Sequence, residues 1–203
     1  MDRKLIFATG NRHKIREAAE ILEGTGLELI SMKDIGVDPD IDENGTTYTE
    51  NALIKARTVA EALPAEYRDC IVIADDSGFE IDCLDRQPGV YSARFMGEDT
   101  SYEIKNRAIL EKLADVPDGE RSARFCCAVV CVLPDGRTLD TFATYEGSVA
   151  YEAKGTNGFG YDPIFMVPEY NKTDAELPPE VKNEIGHRGK AFRAMRDKLE
   201  TVL

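Results

Sequence analysis

The densest chemistry in the chain lies where an uninterrupted apolar stretch, residues 70–74, runs into Asp75-Asp76-Ser77-Gly78. Strand alternation sends Asp75 and Asp76 to opposite faces, so one of the two carboxylates faces a site and the other does not. A carboxylate at the carboxyl end of a strand, beside a glycine that permits a sharp turn, suits Mg²⁺ binding or activation of a water. The same four residues also suit an Asx turn closing a hairpin. Residues 32–45 are polar and acidic, and Asp42 and Glu43 within them are candidates for a second carboxylate on the same cation; simple solvation accounts for them equally.

Three further segments carry groups that could hold a phosphorylated ligand. Thr9-Gly10-Asn11 breaks a short apolar run, and Arg12, His13 and Lys14 follow at once. With Asn11 as the cap, all three basic residues occupy the first turn of a helix, the positive end of its dipole, where each cation costs roughly 0.3–1 kcal/mol. An anion docked on the amides of Gly10 and Asn11, with Lys14 as a point charge, resolves that conflict; an exposed, solvated basic turn is the other reading. Phe159-Gly160-Tyr161-Asp162-Pro163 sets two aromatics and a carboxylate on a glycine-rich backbone, suited to stacking a nucleobase or to a packed loop. Residues 182–190 gather Lys182, His187, Arg188 and Lys190. Arg188 offers a donor fork for phosphate or a base carbonyl, although cations capping a helix C-terminus explain such a group as well.

Around these groups the composition is that of a globular protein. The 203 residues are 42% hydrophobic and 31% charged, enough to bury one core of ordinary size or two small lobes sharing it. The net charge of −13 excludes the general basic footprint of a duplex-binding protein, so an anionic ligand must be held by a local basic cluster or through a divalent cation. The longest apolar run, residues 125–133, falls far short of the ~20 residues a membrane-spanning helix requires. The opening Met-Asp-Arg-Lys and the short apolar run after it do not read as a secretory signal. Five cysteines, Cys70, Cys83, Cys126, Cys127 and Cys131, include no CxxC pair, which points to buried structural thiols and the cytosol.

The elements that must position these residues follow from periodicity. A strand over residues 4–8, an amphipathic helix over 12–22 and a strand over 27–30 make a βαβ unit, hence an α/β core. Thr47-Tyr48-Thr49-Glu50 is a capping box for a helix that Pro64 stops. Residues 70–74 and 79–84 read as two strands with the acidic tetrad between them. Residues 101–113 read as a helix, 121–133 and 138–147 as a hairpin closed by Pro134-Asp135-Gly136, and a last helix restarts near His187 and runs to the end of the chain. The sheet is therefore mixed, with a β-rich second lobe, and no linker separates independent domains.

Taken together, six segments in order and spacing resemble the inosine triphosphate pyrophosphatase family. They are Phe7-Ala8-Thr9-Gly10-Asn11 with Lys14; Glu50-Asn51-Ala52 with Lys55-Ala56; Ala74-Asp75-Asp76-Ser77-Gly78; residues 88–94; Gly158-Phe159-Gly160-Tyr161-Asp162-Pro163; and Lys182 with His187-Arg188. Gly186 stands where the family usually has Ser, and His13 is a variation within the first segment. The resemblance spans nearly the whole chain. It implies an α/β fold with a long mixed sheet and flanking helices, two lobes around a central cleft, and a homodimer acting on a small nucleoside triphosphate rather than a nucleic-acid polymer. It implies Mg²⁺-dependent hydrolysis of ITP, dITP and XTP to the monophosphate and pyrophosphate. Thr9, Gly10, Asn11, Arg12, His13 and Lys14 would hold phosphates, Asp76 would be the catalytic carboxylate and, with Glu43 or Asp42, a metal ligand. Ser77 would touch substrate, and Phe159, Gly160, Tyr161, Asp162, Lys182, His187 and Arg188 would surround base and sugar. Three other readings remain: a pyrophosphatase for other modified nucleotides, a nucleotide-binding regulator without catalysis, and a structural α/β interaction domain.

Overall fold

The computed structural model describes residues 3–202. Met1 and Asp2 of the opening tetrapeptide, and Leu203 at the end of the last expected helix, lie outside the described residues. Strand β1 (Arg3–Phe7), helix α1 (Arg12–Ile21) and strand β2 (Leu27–Ser31) form the expected βαβ unit, with β1 parallel to β2 in the register Leu5↔Leu29. Helix α2 (Tyr48–Glu61) opens on the expected capping box, the Thr47 hydroxyl accepting from the Glu50 amide while the Glu50 carboxylate accepts from the Thr47 amide. The acidic segment before it is mostly irregular but begins with a 3₁₀ turn, Met32–Ile35, capped by the Ser31 side chain and ended by Gly36 in the left-handed region.

One expectation is overturned. Residues 70–84 do not form two strands around a turn: β3 runs unbroken over Ile71–Ile81, straight through Asp75-Asp76-Ser77-Gly78. Gly78 has no positive φ, so it supplies no turn. Two carboxylates survive inside the sheet because Asp75 meets Lys14 and Arg188 while Asp76 meets Lys55, and the buried Ile71–Ala74, Phe79 and Ile81 favour continued strand pairing. The chain then makes a 3₁₀ turn, Asp82–Leu84, and returns as β4 (Gln87–Gly89), antiparallel to the end of β3.

Helix α3 (Tyr102–Lys112), the hairpin strands β5 (Ser122–Val132) and β6 (Thr138–Val149), and the short strands β7 (Phe165–Val167) and β8 (Lys172–Thr173) complete the sheet. Its order among the described residues is β2-β1-β3-β5-β6-β7-β8, with β4 alongside β3; β1 is parallel to β3, whereas β6–β7 and β7–β8 are antiparallel. Helices α4 (Pro179–Ile185) and α5 (His187–Glu200) end the fold. Gly186 separates them, and a Cβ there would meet the Lys182 carbonyl at 2.5 Å. Arg188 therefore sits in the first turn of α5, not at a helix C-terminus, while Lys182 does lie in the last turn of α4.

The chain divides into two compact units. Unit 1 takes the described parts of Met1–Asp76, Cys127–Ala143 and Arg188–Leu203; unit 2 takes Ser77–Cys126 and Thr144–His187. Strands β3, β5 and β6 each contribute to both. The core of unit 1 joins Leu5, Phe7, Ile73 and Val129 to Ala18 of α1, to Leu22 at that helix's C-cap, and to Phe192, Met195 and Leu199 of α5. That of unit 2 joins Phe79, Phe125, Tyr161, Phe165, Ile109 and Leu113. Cys126, Cys127 and Cys131 are buried, as their apolar run implies, but Cys70 is half-buried and Cys83, in the 3₁₀ turn after β3, is exposed, against the expectation of buried thiols. Among the described residues no helix is long and apolar enough to cross a membrane.

Candidate active site

In unit 1 the site is built back to back across β3. Asp75 is fully buried and its Oδ2 accepts from Lys14 Nζ at 3.0 Å and Arg188 Nε at 3.3 Å. Arg188, itself 6% exposed, also donates through Nη1 to Glu17, one turn along α1 from Lys14. Burial opposes ionisation of Asp75, but Lys14, Arg188 and Lys55 outweigh it and hold the carboxyl well below the usual range. The residues expected to hold phosphate lie just upstream. Asn11 caps α1, its Oδ1 accepting from the His13 amide at 2.9 Å and the Lys14 amide at 3.4 Å. Thr9 Oγ1 accepts from the Asn11 amide at 3.2 Å. No acidic residue occupies that first turn, and Gly10, Asn11, Arg12 and His13 are exposed.

The opposite face belongs to Asp76. Its Oδ1 accepts from Lys55 Nζ at 3.0 Å and its Oδ2 from Asn51 Nδ2 at 3.3 Å, both donors projecting from α2 one turn apart. Lys55 Nζ also donates to Glu43 Oε2 at 2.9 Å. One ammonium thus bridges two carboxylates from different segments, as strand alternation and the acidic loop together require. Burial pushes the Asp76 pKa up, against the attraction of Lys55 and Lys14. Burial also acts against the charge of Lys55, yet Asp76, Glu43 and Asp75 together hold its pKa above the ordinary value. Asp42 is turned elsewhere, accepting from Asn44 Nδ2 at 3.0 Å. Among the described residues no three His, Cys, Asp or Glu side chains gather as a ready metal cage. A pair of carboxylates already converging on one cation is nevertheless the donor set a hard divalent ion takes when water and phosphate oxygens complete its shell.

Unit 2 carries the remaining candidates. Asp162 Oδ2 accepts from Lys182 Nζ at 2.5 Å and from the Phe159 amide at 2.9 Å, and Lys182 also reaches Asp174 Oδ2 at 3.0 Å. Burial pushes the Asp162 carboxyl up to about 7, with Lys182 opposing and Asp174 adding to the rise. The two aromatics of this loop part company. Tyr161 is buried, stacked on Phe79 with ring centroids 5.2 Å apart and donating its hydroxyl to the Ser92 carbonyl at 2.7 Å. Phe159 is half-buried and lines a cavity of about 430 Å³. Half-buried His187 stacks on Phe125 at 4.9 Å, and Ser77 is half-buried in β3.

Sequence reasoning left Lys55, Asn51, Asp75, Glu17 and Asp174 without roles. Asn51 and Lys55 are four apart on a helical face otherwise lined by Tyr48, Ala52, Ala56 and Val59, a spacing that marks a polar pair aimed one way. Glu17 is three residues beyond Lys14 and carries the same kind of signal. Nothing local marks Asp174, which is brought to Lys182 by the 3₁₀ turn Asp174–Glu176.

The chain is similar to proteins across bacteria. It is 45% identical over 200 residues to a dITP/XTP pyrophosphatase of Exiguobacterium sibiricum, covering 98% of each chain, and 44% identical over 200 residues to the dITP/XTP pyrophosphatase of Escherichia coli K12, covering 97% of this chain and 98% of that one. Its fold matches the solved structure of a HAM1 protein from Coxiella burnetii at a TM-score of 0.86 and 37% identity, covering 98% of this chain and 99% of that one. The Staphylococcus aureus Ham1 protein matches at 0.85 and 37%, covering 99% and 100%. With residues 5–198 matched by the model of the Ham1 family, and with the six motif segments in place, the chain belongs to that family.

Proposed function

We propose that the protein hydrolyses deaminated purine nucleoside triphosphates, ITP, dITP and XTP, to the monophosphate and pyrophosphate with the help of a divalent cation, Mg²⁺. The observation that carries this reading is the pair of carboxylates, Asp76 and Glu43, held on one ammonium at Lys55, with the cation-rich Asp75 set on the reverse face of the same strand. That relatives 44–45% identical to this chain are dITP/XTP pyrophosphatases supports it.

Release of pyrophosphate requires attack at the α-phosphorus, and negative charge grows on the departing β and γ oxygens. Lys14 and the amides at the start of α1 are the groups of this chain for those oxygens. Arg188 keeps Asp75 ionised and so anchors Lys14. Asp76 orients the attacking water and takes its proton, a role its elevated pKa suits. Bound on Asp76 and Glu43, the divalent ion would supply charge neutralisation and acidify a ligated water. Lys55, which bridges both carboxylates, keeps them together when no such ion is bound.

Phe159 is the stacking surface for the base, since Tyr161 is committed to the core. Lys182 and His187 supply donors for the 6-oxo acceptor of hypoxanthine and xanthine. Adenine presents an amino donor there, so donor would face donor with no acceptor between them. The same resemblance supports a cytosolic homodimer with no nucleic-acid polymer as partner.

A panel of ITP, dITP, XTP, ATP and GTP, scored by pyrophosphate released with and without Mg²⁺, tests the assignment. Release from the first three that depends on the cation is expected. Tight nucleotide binding with no release would mark the protein as a regulator, and preference for another modified nucleotide would move the substrate class.

A further inference from the structure

We infer that Asn106 of α3 is a positioning residue for base recognition, acting by tying down the loop that carries Phe159; this rests on the assignment of Phe159 to the base. Its Nδ2 donates to the Gly160 carbonyl at 3.0 Å, across 54 residues of sequence and between two elements of the same unit. The residue is 5% exposed, and its Oδ1 is buried without a partner. An asparagine inside a helix is a poor helix former, and a buried acceptor left unsatisfied is a further cost. An apolar residue would avoid both costs, so the amide's contribution here is the one bond to Gly160. Turning the amide over would set oxygen against the Gly160 carbonyl oxygen, which fixes its orientation.

Packing fixes the far side of the loop, where Tyr161 is buried on Phe79 and set edge-on to Tyr102 of α3 at 5.3 Å, but it leaves the approach to Phe159 open. The cavity of about 430 Å³ lies between this face of α3 and residues 153–163, lined by Tyr102, Asn106 and Arg107 on one side and Asn157, Phe159 and Gly160 on the other. The loop enters well anchored, the Thr156 and Asn157 amides donating to the Ala175 carbonyl at 3.1 and 2.9 Å. Past that point Gly158 and Gly160 have positive φ, conformations glycine adopts without strain and holds without side-chain packing. Asn106 therefore ties the loop to α3 at the residue next to Phe159. The neighbouring Lys105 makes a parallel tie, its Nζ donating to the Ala93 carbonyl at 2.6 Å, so α3 acts as a post to which two loops are fastened.

The test is Asn106→Leu, which keeps the volume and favours the helix, read by hydrogen exchange and by steady-state kinetics. Exchange over residues 158–161 should quicken roughly three- to tenfold, the range set by one net hydrogen bond. Exchange elsewhere should match wild type, which also reports that the variant folds. KM for ITP should rise by a similar factor with kcat within about twofold, and the preference for ITP over ATP should fall. Asn106→Ala, which removes the donor without adding a charge, should behave the same way and serves if the leucine variant does not fold. Unchanged loop exchange, or an equal loss of kcat on every nucleotide with the ITP preference intact, would overturn the role of Asn106. Wild-type protein that releases no pyrophosphate from ITP would instead sink the functional assignment, and the exchange data would still decide whether the tie exists.

Discussion

Asp75 and Asp76 are adjacent in the chain and live in opposite electrostatic worlds. Three cations, Lys14, Arg188 and Lys55, outweigh burial at Asp75, whereas burial prevails at Asp76 despite Lys55. An ionised anchor behind the strand and a carboxylate with raised proton affinity in front of it are what a phosphate-binding lysine and a water-activating base respectively need. Asp76→Asn should keep the fold and lower ITP turnover by about 10²–10⁴-fold, the usual contribution of a general base, measured as pyrophosphate release beside an unchanged melting curve. Lys55→Met should destabilise the metal-free protein by about 3 kcal/mol, because it leaves two carboxylates facing each other without their shared cation. Added Mg²⁺ should raise the melting temperature of that variant more than that of wild type, read by differential scanning fluorimetry. The split between the two aspartates was legible from strand alternation alone. Lys55 was legible only as half of a polar pair with Asn51, and that the pair meets Asp76 depends on the fold.

At the scale of elements, the starts of helices were the most readable features. Asn11 and Thr47 cap α1 and α2 as their side-chain chemistry dictates, because each satisfies amides that have no partner within the helix. Thr47→Ala should cost about 1 kcal/mol, seen as a lower urea midpoint with an unchanged slope. Strand β3 was misread for an equally physical reason. Two acids, a serine and a glycine in succession have low strand propensity and high turn propensity, and that local preference lost to sheet pairing and to long-range ion pairs. Those pairs reach from Asp75 to Arg188, across 113 residues of sequence. The glycine break before α5 was legible. Its consequence, a buried arginine in a helix's first turn, was not, since it depends on Glu17 and Asp75 arriving from elsewhere.

For the whole molecule, a net charge of −13 leaves anion binding to local arrangements, and two clusters pair cations with buried carboxylates, one around Asp75 and Asp76 and one around Asp162. The second makes stability depend on pH. Burial raises Asp162 from an ordinary 3.8 to about 7, so between those values the folded chain holds a proton that the unfolded chain has released. Stability from this group is therefore present in acid and is lost as pH rises through 7. The melting temperature of wild type should fall more steeply from pH 5 to pH 8 than that of Asp162→Asn. Asp75 acts with the opposite sign: its depressed pKa gives stability above the ordinary carboxylate value that is lost as pH drops below it. The most direct measurement on the central claim, that a water governed by Asp76 attacks the phosphorus nearest the sugar, is hydrolysis of ITP in ¹⁸O-labelled water with Mg²⁺. The label should appear in the inosine monophosphate and not in the pyrophosphate; label in pyrophosphate, or release of single phosphates, would contradict the account.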